Sequence, residues 1–181
     1  YFVCADEQPP VSIVDIAQKL NTQSHYLGRE FNYQLDGSRW HWQGVDQHNA
    51  AITLADMAQP HLPLPSLAAA LQVVQWFGLQ LTAEQVEQAL LNLVLPGRFQ
   101  KLIYQGRELV LDVAHNPAAT HYFAKRLHAD PTQGRTLAIV AMMADKDRRA
   151  SLANLVDVVD DWNLLDLASL PRAATPDMLA E

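Results

Sequence analysis

Val110-Leu111-Asp112-Val113-Ala114-His115-Asn116-Pro117 decides the fold of the second half of the chain. An apolar strand carries an acidic residue near its end, and His115 stands at the turn. Asn116 is placed to cap a helix whose first turn holds Pro117. Strand, turn and helix in this order form one unit of an α/β fold with a parallel sheet, in which ligands bind at the carboxyl ends of the strands. A helix N-terminus at that place offers free N–H groups to an anion. A carboxylate at Asp112 is costly to bury unless it is hydrogen-bonded or charge-paired. It is therefore expected to face a ribose, an amine, a metal or a basic side chain. The alternative is that Asp112 and His115 only brace the turn.

The same rhythm extends to both sides. Upstream, Phe99–Tyr104 and Glu108–Ala114 flank Gln105-Gly106, which reads as a hairpin. Downstream come a helix from Pro117 to about Leu127, a strand over Thr136–Met143 and a helix near Arg149–Val159. A strand near Asn163–Leu167 and a helix after Thr175-Pro176 follow. Single strands alternating with helices imply right-handed crossovers in one parallel sheet. That sheet is expected to gather Asp112, His115 and Asp145 at its carboxyl edge.

Leu95-Pro96-Gly97-Arg98 marks the boundary, because proline stops a helix and glycine lets the chain turn. The expected domains are residues 1–95 and 96–181. Before the boundary, Tyr1–Ala5 reads as a short buried strand. Ile13, Ile16, Ala17 and Leu20 fall at helical spacing, with Ser12 placed as the cap. Aromatic and β-branched residues surround Asp36-Gly37, a hairpin signal. Trp40 and Trp42 share one face of that strand, with His41 on the other, and sheet packing is the role expected for the pair. Pro63-Leu64-Pro65-Ser66 opens a helix that stops near Gly78. Thr82-Ala83-Glu84-Gln85 is a capping box, and its helix places Val86, Ala89, Leu90 and Leu93 on one apolar face.

Composition narrows the function. The chain has 181 residues, of which 49% are hydrophobic, enough for a substantial core and against wholesale disorder. The net charge of −7 opposes a nucleic-acid module. No apolar run is long enough to span a bilayer. The single cysteine, Cys4, makes no internal disulfide, so a reducing, cytoplasmic compartment is expected, and no signal peptide opens the chain. A first residue of Tyr1 suggests a processed chain or a fragment. Ten of the 13 Lys and Arg residues lie beyond Pro96, which is either ordinary surface variation or a sign that the second half meets an anion.

Arg98 can fork onto phosphate oxygens bidentately, or can be a surface ion pair. Asp145-Lys146-Asp147 also follows a strand, either as a site or as a solvated loop that caps the next helix. Its Asp-x-Asp spacing is a weak signal for a hard cation. His25, His41, His48, His61, His121 and His128 show no ligand spacing, and zinc is not expected. The chain contains no Gly-x-x-x-x-Gly-Lys-[Ser/Thr] phosphate loop, no Gly-x-Gly-x-x-Gly and no Gly-x-Ser-x-Gly. No catalytic residue of its own is assigned.

Leu95-Pro96-Gly97-Arg98-Phe99-Gln100, followed at short range by Asp112-Val113-Ala114-His115-Asn116-Pro117, resembles the folylpolyglutamate synthase/dihydrofolate synthase family of Mur-type amide ligases. The resemblance continues through Met142–Asp147 and Val158–Trp162, and back into the Leu64–Leu71 helix. It implies the end of a P-loop-type ATPase domain followed by the start of a Rossmann-like C-terminal domain with a mainly parallel sheet. It implies ATP and Mg²⁺ as cofactors, with the magnesium ligands outside these residues. Dihydropteroate or tetrahydrofolate and L-glutamate are the implied substrates, joined through an acyl phosphate, and the parent is expected to be a monomer. By resemblance, Arg98 contacts the ATP phosphates, while Asp112 and His115 lie on the nucleotide side. Ser66 stands where the family usually has an Asn that touches the base, with shorter reach and no amide. Asn116, Asp145, Lys146 and Asp147 fall on the possible glutamate side. Two other readings stay open: a ligase for a peptidoglycan precursor, and a non-catalytic nucleotide-binding or interaction module.

Overall fold

The computed structural model describes residues 1–91 and 93–181, which divide into two compact units, Tyr1–Val94 and Leu95–Glu181. Among the described residues no helix is long and apolar enough to cross a membrane.

In the first unit, β1 (Phe2–Cys4) runs parallel to β2 (Ser24–Tyr26), with α1 (Val11–Lys19) between them in the chain. β3 (Asn32–Asp36), β4 (Arg39–Val45) and β5 (Ala51–Ala58) form an antiparallel meander. The hairpin expected at Asp36-Gly37 forms, but its two-residue turn is Gly37–Ser38, with Gly37 at φ +59°, because Asp36 still pairs with Arg39. α2 (Leu64–Trp76) and α3 (Ala83–Leu91) follow. Trp40 and Trp42 are fully buried and pack with Phe31, Leu54, Met57, Leu64, Ala68 and Val86. The Trp42 indole N–H donates to the Ala68 carbonyl at 3.0 Å, which ties the meander to α2. Gln72 reinforces that tie by exchanging two hydrogen bonds with the Val45 backbone, at 2.7 and 3.1 Å. Trp40 pairs with Met57 but Trp42 pairs with Leu54, so β5 carries one extra residue, and Asp56 turns through φ +59° there.

The capping box forms: Thr82 N–H donates to Gln85 Oε1 at 2.9 Å, and Gln85 N–H donates to Thr82 Oγ1 at 3.2 Å. Two expectations for this unit fail. Ser12 does not cap α1, because the helix already starts at Val11 behind Pro10, which has φ −51° and is followed by no side-chain cap. The apolar face expected of α1 buries only Ala17, and Ile16 and Leu20 stay exposed. α3 ends at Leu91, so Leu93 lies beyond the helix, and both Leu93 and Ala89 are exposed.

A polar cluster lies beneath α2. The Tyr1 hydroxyl bonds His25 Nδ1 at 2.7 Å, Gln72 donates to the same hydroxyl at 3.3 Å, and the Tyr1 ring stacks on Trp76 at 4.3 Å. Burial pushes the tyrosine hydroxyl above its ordinary pKa. It holds His25, 2% exposed, below the usual 6.5, with the charge of Glu30 as the smaller, opposing influence. The folded chain therefore takes up this proton less readily than the unfolded chain. His25 contributes stability above the unfolded value, and that contribution is lost as pH falls. Thermal unfolding followed from roughly pH 7 to pH 5 should show a shallower loss of stability in His25→Gln than in the parent chain. Equal slopes would place the acid sensitivity elsewhere.

In the second unit, β6 (Gln100–Tyr104) and β7 (Arg107–Leu111) form an antiparallel hairpin whose turn residues Gln105 and Gly106 both have positive φ. α4 (Pro117–Ala129) comes next. β8 (Leu137–Val140) and β9 (Asp161–Leu164) pair in parallel around α5 (Arg148–Ala153). α6 (Pro176–Ala180) is capped by Thr175. Met142, Ala174 and Leu179 form its core, lined by Ala144, Leu152, Leu164 and Met178. The fold is mixed α/β, with parallel and antiparallel pairs. The expected gathering of Asp112, His115 and Asp145 on one sheet edge does not occur: among the described residues β7 pairs with β6 and β8 with β9, in separate sheets. β7 takes its partner from the hairpin, and no parallel pairing of its other edge with β8 forms among the described residues. α5 is shorter than expected and ends at Ala153; its C-cap Asn154 keeps helical φ and ψ, and its side-chain amide donates to Pro117 O and Thr120 Oγ1, at 3.0 and 3.1 Å, which binds this end to α4.

Candidate functional site

Two backbone segments of the second unit meet around one carboxylate. Residues 95–99 turn tightly: Arg98 N–H donates to Leu95 O at 3.1 Å, and Gly97 has φ +66°. Gly97 is required twice over, for that φ and because a Cβ there would sit 2.8 Å from Val113 Cγ1. Gly97 N–H donates to Gln100 Oε1 at 3.0 Å, and Gly97 O accepts from Val113 N–H at 2.9 Å. Asp112 completes the join. Its Oδ2 accepts from Phe99 N–H and its Oδ1 from Ala114 N–H, both at 2.7 Å.

The carboxylate braces the turn, and it is satisfied by backbone amides, not by a basic side chain. Each oxygen still has a lone pair to offer, so bracing does not exhaust it. Phe99 adopts φ +46°, a conformation that costs a bulky residue on the order of 1–3 kcal/mol. Its ring is buried, edge-on to Phe123 at 5.8 Å, with the Arg126 guanidinium 4.5 Å from its centroid.

Arg98 lies between these two left-handed residues. Its side chain is exposed and has no hydrogen bond or ion pair among the described residues. The amides of residues 97 to 99 are all donated internally, so the guanidinium is the group this turn presents to an anion. Some other cations of the unit are engaged, Lys101 with Asp130 and Glu108, Arg135 with Asp161, Arg172 with Asp145, while Arg107, Lys125 and Arg149 also have no side-chain hydrogen bond or ion pair among the described residues. The Asp130 and Glu108 hydrogen bonds push the Lys101 ammonium above its ordinary pKa.

His115 is exposed, and its Nδ1 lies 2.9 Å from Val113 O. A carbonyl oxygen only accepts, so this bond puts a proton on Nδ1. Asn116 caps α4, with Oδ1 accepting from Ala119 N–H at 2.9 Å. Asp147 caps α5 by accepting from Ala150 N–H at 3.1 Å. Asp145 receives both of its short bonds from Arg172 Nη2, at 3.0 and 2.9 Å, and Lys146 Nζ lies 3.8 Å away. That guanidinium holds the Asp145 carboxyl below the usual carboxylate range. The structure thus brings Arg98, Asp112 and Asn116 onto adjoining turns, with His115 between the last two, while Asp145, Lys146 and Asp147 belong to a separate loop. Ser66 lies in the first unit, exposed in the first turn of α2.

Sequence reasoning missed Phe99, Phe123, Arg126 and Arg172. Phe123 and Arg126 stand three residues apart on α4, a spacing that aligns them on one face, but nothing local announces the ring they meet. Among the described residues no group of His, Cys, Asp and Glu could hold a metal.

Residues 97–181 match the family described as Mur ligase, glutamate ligase domain. The dihydrofolate synthase/folylpolyglutamate synthase of Escherichia coli is 35% identical over 179 residues, 99% of this chain and 41% of the relative. That of Haemophilus influenzae is 25% identical, over 99% of this chain and 44% of the relative. Among solved structures, E. coli FolC in complex with DHPP and ADP has a TM-score of 0.82 at 34% identity, covering 98% of this chain and 41% of that one. The bifunctional enzyme from Yersinia pestis CO92 gives 0.80 at 36%, with the same coverage. The chain spans about two fifths of the length of the relatives it matches. Over that length it is similar to the folylpolyglutamate synthase/dihydrofolate synthases, and residues 97–181 carry the glutamate ligase domain of the Mur ligases.

Proposed function

We propose that this chain is part of an ATP-dependent ligase that joins L-glutamate to dihydropteroate or folates. Residues 1–95 form the end of its ATPase domain, and residues 96–181 the first part of its glutamate-ligase domain. The carrying observation is the turn at Arg98: an exposed guanidinium with no partner among the described residues, on a backbone clamped by Asp112, in the stretch matched to the ligase family. Arg98 contacts the ATP phosphates. Asp112 holds the turn and offers its remaining lone pairs to the nucleotide, with His115 beside it. Ser66 lies on the nucleotide side of the first unit. Asn116, Asp145, Lys146 and Asp147 are the weaker candidates for the glutamate side, since all four side chains already serve as caps or ion pairs.

A folate or pteroate carboxylate oxygen attacks the γ-phosphorus and ADP leaves. The glutamate amine then attacks the acyl carbon, loses a proton, and inorganic phosphate departs. Such chemistry runs on positioning and charge neutralisation, to which a bidentate guanidinium is suited. Related structures contain ADP with DHPP, and Mn with AMPPNP and L-glutamate, which supports this choice of substrates. Magnesium, when bound, neutralises phosphate charge.

The test is ADP release by the full-length protein. Release should require both L-glutamate and a dihydropteroate or tetrahydrofolate acceptor, and the 181-residue chain alone should release none above background. Release driven by a muramyl-peptide acceptor instead would move the protein to the peptidoglycan branch. Glutamate-dependent release from the chain alone would show that the turnover machinery is complete in it.

A further inference from the structure

Phe99 is a bulky residue held at φ +46° immediately after Arg98. A residue in the left-handed region persists only where its surroundings over-determine it. Here three groups do so. Asp112 takes the amide N–H at 2.7 Å, the Phe123 ring meets the Phe99 ring edge-on at 5.8 Å, and the Arg126 guanidinium lies 4.5 Å from its centroid. The first acts on the backbone and the other two on the side chain, and both of these come from α4. Asp130, at the end of α4, also takes an ion pair from Lys101 of β6, so helix and hairpin are tied at a second place.

We infer that Arg126, with Phe123, is a positioning residue: through the Phe99 ring it fixes the turn that aims Arg98 at the nucleotide phosphates. This rests on the phosphate role proposed for Arg98. Arg126 acts without touching the nucleotide. A relaxed Phe99 rotates the peptide that follows Arg98, and the guanidinium then spends its time over a wider arc. Bidentate phosphate recognition depends on orientation, so loosening the turn lowers affinity for ATP and leaves the glutamate subsite alone.

The experiment is steady-state kinetics on the full-length protein carrying Arg98→Ala, Arg126→Met, Arg126→Lys and the Arg98→Ala/Arg126→Met pair, each checked by thermal unfolding. Arg126→Met should raise KM for ATP about three- to tenfold, the range of a cation–π contact, with KM for L-glutamate unchanged. Arg126→Lys keeps a cation over the ring and should recover part of the loss. In the Arg98→Ala background, Arg126→Met should add nothing further. If Arg98→Ala raises KM for ATP while Arg126→Met does not, or if the two effects multiply, the positioning role is overturned and the phosphate role survives. If Arg98→Ala changes nothing, both fall. Should Arg126→Met fail to fold, Phe123→Leu removes the other ring contact and carries the same expectation.

Discussion

Replacing Asp112 with alanine should cost stability and ATP use together, and it should be the more disruptive of the two changes at this turn. Both carboxylate oxygens accept backbone N–H bonds at 2.7 Å, from Phe99 and from Ala114. Hydrogen bonds to a charged group contribute roughly 1.5–3 kcal/mol each. The two share one side chain and are not fully additive, so about 2–4 kcal/mol is expected for their joint loss. The left-handed Phe99 then loses the acceptor that helps keep it strained. Asparagine is not a neutral control here. It has one acceptor oxygen and an NH₂ group, so one amide would face a donor. Asp112→Asn should recover only part of the stability, which denaturant unfolding of the full-length protein can measure. Wild-type stability in Asp112→Asn would show that the second amide bond contributes nothing.

Much of the local structure was legible because it is written in neighbouring residues. Asn116, Thr175 and the Thr82–Gln85 pair cap helices through partners three residues away. Gly37, Gln105 and Gly106 supply the positive φ that tight hairpins need. Trp40 and Trp42 alternate with His41 because a strand has a period of two. Features that depend on distant partners were not legible. Helical spacing put Ile16 and Leu20 on the face of Ala17, yet spacing does not say what covers that face, and only Ala17 is buried. Alternating strands and helices suggested one parallel sheet, but which strands pair across a helix is a long-range matter, and among the described residues of this unit only β8 and β9 do so.

The candidate site divides in the same way. Arg98, Asp112 and His115 could be named from residue type and position. That Asp112 is held by the amides of Phe99 and Ala114 follows from a meeting of segments 13 residues apart for the first of them. Asp145 looked available in the sequence, and it is forked by Arg172, 27 residues downstream. A helix face that presents Phe123 and Arg126 gives no sign of Phe99, because the left-handed turn that brings the ring there is itself a tertiary feature.

Arg98→Ala should behave differently from any change at Asp112. Its side chain is exposed, with no hydrogen bond or ion pair among the described residues, so its removal should leave the unfolding midpoint nearly unchanged. The loss should appear in nucleotide use. Charge-assisted contacts of about 1.5–3 kcal/mol correspond to roughly ten- to hundredfold in ATP affinity or turnover. Arg98→Lys keeps the charge but loses the fork, so it should recover only part of the effect. The decisive measurement is therefore kcat/KM for ATP in the full-length protein and its Arg98→Ala variant, at saturating glutamate and folate. A fall of about ten- to hundredfold with an unchanged unfolding midpoint is the expected result. An unchanged kcat/KM for ATP would contradict the phosphate role and leave Arg98 as an exposed residue of the interdomain turn.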